Sequence, residues 1–467
     1  MPDAVVVGGA FSGLAVALML DDLGYRVRVL ERDPRPLPKS LAEATTRHRP
    51  TVPQAGQSHM LVCLGANLLA EHLPQVRAAM LAAGAREVRL AMPPSLEDPT
   101  PLPEDAELTV LCARRPMLEL FLGKEVESRP GISVDRGVVV DGLLGSTWIS
   151  GVRARNGHDL PADLVIDASG RRSPALRWLA RNGFTVPPDE VESAELTYYT
   201  RFYQLRDDGT PRPRGKGFGA GGSWDHFSAV LFHGDNGTFS ISVAVLPRDD
   251  GLTLLRTKEG FTAAVKLSPT LGPWLAAADP ISEVAVMGGL DNRLRQFATD
   301  RTNPIPGLIS VGDAVCTTNP SYGRGMSLAL QQIYGLADVL TKYPTVSASQ
   351  AVAVAALADE VFRPWYELSV RNDRERIARW RAAIEGHQAP KPDHLTLMQL
   401  IAAGATDAVV WRRASRFLTS LVRPDKVFCD EDIQRRVTKA LVNAPAKPRI
   451  VVPSHDELVR AVTEAAG

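Results

Sequence analysis

The sequence has few cysteines and no excess of either charge. Fifty-three basic residues balance fifty-three acidic ones, so no global field attracts a nucleic acid or an anionic membrane. The cysteines lie far apart, without the short spacings of a zinc site or a disulfide framework. They are Cys63, Cys112, Cys316 and Cys429. We therefore expect a small-molecule ligand, no nucleic-acid partner and a reducing, cytoplasmic location.

Two common classes of catalytic motif are also missing. The sequence has no His-Glu-x-x-His pair and no Gly-x-Ser-x-Gly segment, so neither a zinc hydrolase nor a serine hydrolase is indicated, and we expect no metal. The apolar run from Ala4 to Leu20 has no basic residue before it and ends at Asp21 and Asp22. We expect this run to be core, not a signal peptide or an integral membrane segment.

The first recognisable pattern is a strand, a glycine turn and a helix. Val5–Val7 form a β-branched run typical of a buried parallel strand. The turn "GGAFSG" follows, and apolar residues then recur at helical spacing up to Gly24. A second strand ends at Glu31, which completes a βαβ unit.

Such a unit binds a dinucleotide. Backbone N–H groups of the turn and the positive end of the helix dipole point at the pyrophosphate, and an acid at the second strand tip accepts hydrogen bonds from the ribose. Glu31 has the required spacing, while Ala10 stands where a middle glycine is expected and adds one methyl group. The turn predicts nucleotide binding but does not separate NAD from FAD.

A segment about three hundred residues downstream favours FAD. In Pro306–Leu340, a short apolar strand is followed by Asp313 and then by a Gly-rich loop that opens a second helix. An acid at this strand tip suits the ribityl hydroxyls of a flavin. The dipole of the helix that starts near Gly325 would stabilise the anion formed on the flavin ring when it is reduced.

Together, "VVVGGAFSGL", "DLVIDASGRRS" and "ISVGDAVCTTNPSYGRGMSLAL" resemble the FAD-dependent monooxygenases related to p-hydroxybenzoate hydroxylase. The segments "RPTVPQAGQSHML" and "ARRPMLELFL" are similar to parts of actinomycete flavin epoxidases and hydroxylases of natural-product pathways, including polyether epoxidases. The resemblance covers roughly residues 1–345.

This resemblance implies a set of cofactor contacts. The turn would line the pyrophosphate, Arg115 the ribityl and phosphate side, Asp313 the ribityl chain, and the Gly-rich loop the isoalloxazine. The full set is Gly8, Ala10, Phe11, Ser12, Gly13, Glu31, Arg32, Arg49, Gln54, Arg115, Val139, Asp313, Pro320, Gly323, Gly325 and Met326.

We expect an α/β protein with a Rossmann-like FAD-binding domain, an antiparallel substrate sheet and a C-terminal helical region. The predicted boundaries are 1–190 plus 298–345 for the FAD-binding domain, 191–297 for the substrate domain and 346–467 for the helices. The segment 86–112 is a candidate addition to the substrate sheet. In 346–467 we expect one helix over Ser347–Leu357 and a separate charged helix around "RNDRERIARW".

The substrate domain is predicted from alternation of period two. "TFSISVAV" places apolar residues on one face and small or polar ones on the other, and "ELTYYTRFYQL" alternates similarly. In the resembled family this sheet forms the substrate cavity, although core packing explains the same alternation. Pro211–Ser223 is either a lid or a hairpin loop. The candidate substrate contacts are His59, Tyr198, Phe202, Phe227 and Phe239.

The resemblance implies a monooxygenase in which reduced FAD reacts with O2 to give a C4a-hydroperoxide that epoxidises or hydroxylates a small, secondary-metabolite substrate. No protein acid or base is indicated. The segment Ala168–Gly170 reads Ala-Ser-Gly where the family often has Asp-Gly, so either NAD(P)H or a partner flavin reductase is the expected electron donor. The alternatives are a flavin-dependent halogenase, an FAD-dependent reductase of isoprenoid or polyene double bonds, and a flavin-binding protein without turnover.

Overall fold

The computed structural model describes residues 1–93, 95–96, 100–206, 220–442 and 452–467. Residues 211–219, most of the segment expected to be either a lid or a hairpin loop, lie outside these ranges. Within them, no helix combines the length and the apolar composition that a membrane crossing requires.

The first part of the chain contributes strands to three sheets. In chain order they are β1 (Asp3–Val7), β2 (Arg26–Glu31), β3 (Arg86–Arg89), β4 (Thr109–Cys112), β5 (Ile132–Arg136), β6 (Val140–Leu144), β7 (Gly151–Ala154), β8 (Asp159–Pro161) and β9 (Leu164–Asp167). The later strands are β10 (Glu190–Ser193), β11 (Thr197–Leu205), β12 (Gly221–Ser223), β13 (Ser228–His233), β14 (Thr238–Val245), β15 (Ala278–Pro280), β16 (Ala285–Met287), β17 (Asp291–Leu294), β18 (Leu308–Ser310) and β19 (Cys316–Thr317).

The helices enclose these sheets and form most of the C-terminal region. In the first half they are α1 (Phe11–Asp22), α2 (Leu41–Thr46), α3 (Cys63–His72), α4 (Pro74–Ala82), α5 (Arg115–Ser128) and α6 (Ala175–Arg181). The others are α7 (Lys258–Lys266), α8 (Gly272–Ala276), α9 (Gln296–Thr299), α10 (Gly325–Lys342), α11 (Ala348–Ile384), α12 (Leu397–Ala403), α13 (Ala408–Leu418), α14 (Asp425–Phe428), α15 (Glu431–Val442) and α16 (His455–Ala466).

A five-stranded parallel sheet confirms the predicted Rossmann-like architecture. Its order is β18-β9-β1-β2-β5, so β18 joins the sheet after the whole antiparallel region has been traversed. Strand β1 is buried on both faces, as expected for a central parallel strand. Helices α1, α5 and α10 share one apolar core with this sheet. The carboxyl ends of β1 and β18, far apart in sequence, therefore meet at one edge.

The second large sheet is antiparallel, with the order β12-β13-β14-β11-β15 and with β16 also paired to β11. Its strand β14 is buried along its whole length, because both faces are covered. Phe239, Ile241 and Val243 pack into a core with α7 and α16, whereas Ser240 and Ser242 point to the opposite face, toward the parallel sheet domain.

Two expectations about the fold need correction. Strands β3 and β4, in the segment 86–112, pair with each other in a two-stranded sheet and do not join the substrate sheet. The two helices expected around Ser347–Leu357 and "RNDRERIARW" form one continuous helix, α11, which contains Pro364. Buried Trp365 and Tyr366, directly after the proline, pack into a core with the neighbouring helices, which stabilises α11 across this position.

Candidate functional site

The turn between β1 and α1 requires its glycines. Gly8 has φ +111°, and a Cβ there would lie 2.6 Å from the carbonyl oxygen of Ala168. A Cβ on Gly13 would lie 1.8 Å from the carbonyl oxygen of Gly8. Ala10 precedes α1 in an extended conformation and tolerates its methyl group. The turn thus holds the backbone where only glycine fits, apart from this middle position.

The amino end of α1 is free to bind an anion. No side chain caps it, and its first turn contains no acidic residue. The first N–H groups of a helix have no partner within the helix and carry the positive end of its dipole. This end therefore suits a pyrophosphate, as the sequence predicts.

Glu31 at the tip of β2 is tied to this turn. Its carboxylate accepts hydrogen bonds at 2.8 Å from the N–H of Gly9 and at 2.8 Å from the N–H of Asp33. The side chain is 6% exposed and lines the large cavity described below. Glu31 thereby fixes the relative position of the two strand tips and keeps an acid at the place expected for the ribose.

The tip of β18 is held by a glutamine that the sequence reasoning missed. Buried Gln332 of α10 accepts from the N–H of Gly312 at 2.9 Å and donates to the carbonyl of Ser310 at 2.9 Å. This clamp presents Asp313, in a short 3-10 turn. Burial raises the pKa of the Asp313 carboxyl above its usual value, against the opposing effect of nearby arginines led by Arg115.

Both strand tips open into one large cavity, here called the first cavity, of about 820 Å³. Gly8, Glu31 and Asp313 all contribute to its wall. Gly170 and Gly289 also line it with positive φ, and a Cβ on either would meet nothing within 4 Å. The volume lies within the range of small-molecule and cofactor sites. The donor set and the glycine turn thus fit an extended dinucleotide such as FAD.

A charge network supports the middle of the first cavity. Glu119 accepts a hydrogen bond at 2.7 Å from Nε of Arg115, and it also pairs with Arg49. Although burial alone would raise the pKa of the Glu119 carboxyl, Arg115 and then Arg49 hold this pKa below its usual value. The ionised Glu119 orients Arg115 toward the cavity. Arg49 therefore affects the cavity only indirectly, through its ion pair with Glu119.

A smaller second cavity of about 180 Å³ adjoins the first. Both cavities share lining from Gln54, Arg115, Asp313, Gly325 and Met326. Beyond this junction, the second cavity is bounded by β13, β14, α11 and the Gly-rich loop before α10. Its accessible lining is more apolar than that of the first cavity. The arrangement places an apolar chamber at the amino end of α10.

His59 lines the second cavity as a neutral base. Its Nδ1 lies 2.8 Å from the carbonyl oxygen of Gln57, and because a carbonyl only accepts, Nδ1 must carry the proton. Burial, followed by the nearby charge of Arg115, lowers the pKa of His59 to about 4. The Nε2 atom therefore remains unprotonated near neutral pH and can accept a hydrogen bond.

Tyr198 belongs to a buried polar network beside the same cavity. Its hydroxyl donates to Oδ1 of Asn319 at 2.8 Å and also contacts Ser321. The Asn319 amide in turn donates to Asp373 at 2.6 Å. Burial raises the pKa of Tyr198, so the phenol stays protonated. Sequence analysis proposed Tyr198 but did not anticipate Asp373, because α11 lies far along the chain.

A row of hydrogen-bonded polar side chains lies beside the second cavity, and Gln57, Ser58 and Ser242 of this row line its wall. The Ser58 hydroxyl lies 2.7 Å from that of Ser240 and 2.8 Å from that of Ser242. Thr200 bridges Ser242 at 2.7 Å and donates to Oε1 of Gln57 at 2.6 Å. This row connects the segment before His59 to strands β11 and β14.

The structure brings most of the predicted cofactor residues together. The residues that line the first cavity are Gly8, Ala10, Phe11, Ser12, Glu31, Arg32, Gln54, Arg115, Val139, Asp313, Gly325 and Met326. Pro320 and Gly323 line the second cavity. Gly13 lies beneath the turn, against Gly8. Arg49 lines a neighbouring cleft and reaches the first cavity through Glu119.

Only some of the predicted substrate contacts lie at a cavity. His59 and Tyr198 line the second cavity. Phe227 and Phe239 instead pack in the core on the far side of the antiparallel sheet, so the structure contradicts their proposed role. The alternation was recognised, but the larger side chains were assigned to the wrong face. Phe202 does not contribute to either cavity wall.

The sequence comparisons give two matches. The family model for pyridine nucleotide-disulphide oxidoreductases matches residues 3–49, the segment with the first turn and Glu31. Protein Rv3254 of Mycobacterium tuberculosis is 28% identical over 368 residues, which span 70% of this chain and 71% of that protein.

Solved structures extend the likeness to nearly the whole chain. A flavoprotein/dehydrogenase from Cytophaga hutchinsonii has a TM-score of 0.62 at 16% identity, covering 94% of this chain and 98% of that chain. The flavin-dependent brominase Bmp2 has a TM-score of 0.61 at 15% identity, with 95% and 100% covered. PqsL of Pseudomonas aeruginosa, described as a probable FAD-dependent monooxygenase, has a TM-score of 0.58 at 17% identity, with 82% and 98% covered. The chain therefore has the fold found in FAD-dependent monooxygenases and flavin-dependent halogenases.

Proposed function

We propose that this chain is an FAD-dependent monooxygenase that transfers one oxygen atom from O2 to a small organic substrate, by epoxidation or hydroxylation. One observation carries the proposal: the cavity that fits a dinucleotide opens, at Arg115, Asp313 and Met326, into a smaller and more apolar chamber. A cofactor that extends from the Gly8 turn to Asp313 would present its reactive end to this chamber. When bound and reduced, FAD supplies the activation of O2.

The chain's own residues would position the cofactor and control the chamber. The turn at Gly8 and the amino end of α1 would hold the pyrophosphate, Glu31 the ribose and Asp313 the ribityl chain. The amino end of α10, at Gly325, would stabilise negative charge on the flavin ring. The chamber behind it would keep water from the reacting atoms.

Two polar groups of the chamber, His59 and Tyr198, can contact a substrate. His59 presents an unprotonated Nε2 near neutral pH and can accept a proton or a hydrogen bond from a substrate hydroxyl. Tyr198 remains protonated, and its single proton is donated to Asn319, so its hydroxyl can only accept a hydrogen bond from a substrate. An epoxidation needs neither group, whereas hydroxylation of a phenol would use His59 as the acceptor.

An arginine-rich edge of the first cavity supports direct reduction by NAD(P)H. Arg171, Arg172, Arg177 and Arg181 line the cavity near α6. Among the described residues no acidic side chain lies within ion-pair distance of them, although Arg171 donates to the carbonyl oxygen of Gly289. Unpaired guanidinium groups at a cleft suit phosphate groups. We propose that NADPH reduces the flavin here, with a partner reductase as the alternative donor.

The test uses the purified full chain reconstituted with FAD. Expected results are a yellow protein with one FAD per chain, NADPH oxidation stimulated by a substrate from a panel of polyketides, terpenoids and phenols, and a product heavier by one oxygen atom, labelled from 18O2. Failure to take up FAD would refute the proposal. Replacing Arg172 and Arg177 by glutamine should weaken the binding of NADPH more than that of NADH. Unchanged binding of NADPH would favour a partner reductase as the electron donor.

The fold likeness to Bmp2 keeps a halogenase as the second candidate. The same assay with bromide present separates the two functions. A product that contains bromine, formed only when bromide is added, would identify a halogenase. No lysine lines the second cavity among the described residues, which favours oxygen transfer. Saturation of a polyene without O2 would instead identify a reductase.

A further inference from the structure

Arg324 is a buried cation without a hydrogen-bond partner. It precedes α10 in the Gly-rich loop and is 1% exposed. Its Nε and both Nη atoms are buried, and within the described chain none of them has an acceptor. Buried guanidinium groups are normally paired, because an unpaired buried charge is strongly unfavourable. Three unpaired donor atoms on one buried side chain therefore indicate a site for an anionic ligand.

Two aromatic rings restrict how such a ligand can approach. The Arg324 guanidinium lies 4.3 Å from the ring centroid of Tyr322 and 4.4 Å from that of Trp365. Both rings pack against the guanidinium but offer its N–H bonds no hydrogen-bond acceptor, so these in-plane N–H bonds remain unpaired. A carboxylate matches two of these N–H bonds with two parallel hydrogen bonds.

The nearest acid cannot serve as the partner. Asp373 already accepts hydrogen bonds from Asn292 at 2.7 Å and from Asn319 at 2.6 Å, and it pairs with Arg376. It lies close enough to act on Arg324 electrostatically but not within ion-pair distance of it. The cluster of Arg324, Arg376 and Asp373 therefore carries a net positive charge. Burial lowers the pKa of Arg324 only to about 10, so it stays charged at neutral pH.

Arg324 also contributes to the wall of the second cavity, together with Phe362, Val230 and Phe232. We propose that Arg324 binds the carboxylate of an organic-acid substrate whose apolar part occupies this cavity. The proposal rests on the proposed function for the role of the cavity, and it adds the substrate class. Since Arg324 immediately precedes α10, binding there would place the rest of the acid beside the predicted flavin site.

The experiment compares acids with neutral molecules of the same shape. Benzoate, cinnamate and octanoate, each beside its primary amide, are titrated by calorimetry against the FAD-loaded protein and the apoprotein. We expect at least one acid to bind about tenfold or more tightly than its amide, as a bidentate charged pair allows. In Arg324→Gln the preference should disappear while the amide affinity stays unchanged. Arg324→Lys, which keeps the charge but not the planar edge, should give an intermediate preference.

The control is Arg374→Gln, which removes an exposed arginine of α11 paired with Glu192 and should retain the preference. Circular dichroism and Tm show whether each variant folds. If Arg324→Gln does not fold, the comparison is made with Arg324→Lys instead. Equal binding of acids and amides, or an acid preference that survives both Arg324 variants, would overturn the proposal. So would Arg324-dependent binding of bromide without any of the acids.

FAD uptake is measured separately in the same preparations. A protein that binds FAD and oxygenates a neutral compound but shows no acid preference would overturn the carboxylate site alone. A protein that takes up no FAD but shows an Arg324-dependent preference for an acid would refute the oxygenase and support the carboxylate site.

Discussion

The two cavities that meet at Asp313 are built in different ways. The first consists largely of backbone at the ends of parallel strands, where Gly8 and Gly13 permit a tight turn and helix α1 contributes free N–H groups. The second consists of side chains that project from strand faces and from helices, such as Ser242 and Phe362. The first therefore tolerates few sequence changes at its turn, whereas the second can change its contacts one side chain at a time.

This difference corresponds to two separate requirements of the proposed function, which are cofactor binding and substrate selection. A cofactor is held by features that any sequence with this turn and these strand tips reproduces. Substrate choice depends on individual groups, including His59, Tyr198 and Arg324. Substitutions confined to one cavity should therefore leave the other unaffected.

The largest effect on cofactor binding is expected from Gly13→Ala. The added Cβ would lie 1.8 Å from the carbonyl oxygen of Gly8, so the turn must open and its N–H groups leave the first cavity. We expect FAD affinity to fall by at least about 100-fold, or about 2.7 kcal/mol, together with a lower Tm. Fluorescence titration of FAD, with circular dichroism on the apoprotein, measures this.

Gly142→Ala is the matched control for that variant. A Cβ on Gly142 would meet nothing closer than 3.9 Å, and the residue lies outside both cavities. FAD affinity should remain within about twofold of wild type, as for a typical neutral surface change. Equal loss of FAD in both variants would show that the turn geometry is not what holds the cofactor.

The next prediction separates the two faces of strand β14. Phe239 is fully buried, stacks on Tyr203 with ring centroids 5.2 Å apart and packs against Trp274. Phe239→Ala should cost about 3–5 kcal/mol of unfolding free energy, measured by chemical denaturation. FAD content per folded molecule should not change, because the residue faces away from both cavities.

Ser242→Ala, three positions along the same strand, tests the opposite face. It removes hydroxyl contacts with Ser58 and Thr200, and both of these retain another partner. We expect a stability loss of about 1 kcal/mol and a changed KM for the substrate of the proposed reaction. A Phe239→Ala protein with altered KM and a Ser242→Ala protein without it would reverse the assignment of the faces.

Local patterns predicted the first cavity well. The βαβ unit, the turn and Glu31 lie within about thirty residues, and their spacing alone fixes their geometry. Asp313 lies much further along the chain but follows a strand of the same parallel sheet. Because carboxyl ends of parallel strands share an edge, its position also followed from the sequence.

The second cavity could not be predicted in the same way. Alternation in β14 showed that two faces exist, but nothing local decided which one faces the cavity, and Phe227 and Phe239 were assigned to the wrong face. Asp373 and Trp365 meet the Gly-rich loop only because α11 runs unbroken through Pro364. Such contacts depend on tertiary packing between distant segments, which propensity and spacing do not encode.

The last expected effect is a pH dependence confined to the second cavity. Its wall includes His59, with a pKa lowered to about 4, whereas the described lining of the first cavity includes no histidine. The unfolded chain takes up a proton on this histidine near the ordinary histidine pKa of 6.5, and the folded chain does so only near 4. Stability is therefore complete above pH 6.5 and falls as the pH decreases from 6.5 toward 4.

His59→Gln should remove this part of the pH dependence. Since His59 is only partly buried, we expect wild type to lose about 1–2 kcal/mol more than His59→Gln between about pH 7 and pH 5. Denaturation curves at both pH values measure the difference. His226, whose pKa burial also lowers to about 4, is present in both proteins, so its contribution cancels. Identical losses of unfolding free energy in the two proteins would mean that His59 has the same pKa in the folded and unfolded chain. The wall of the second cavity would then be solvated at this position.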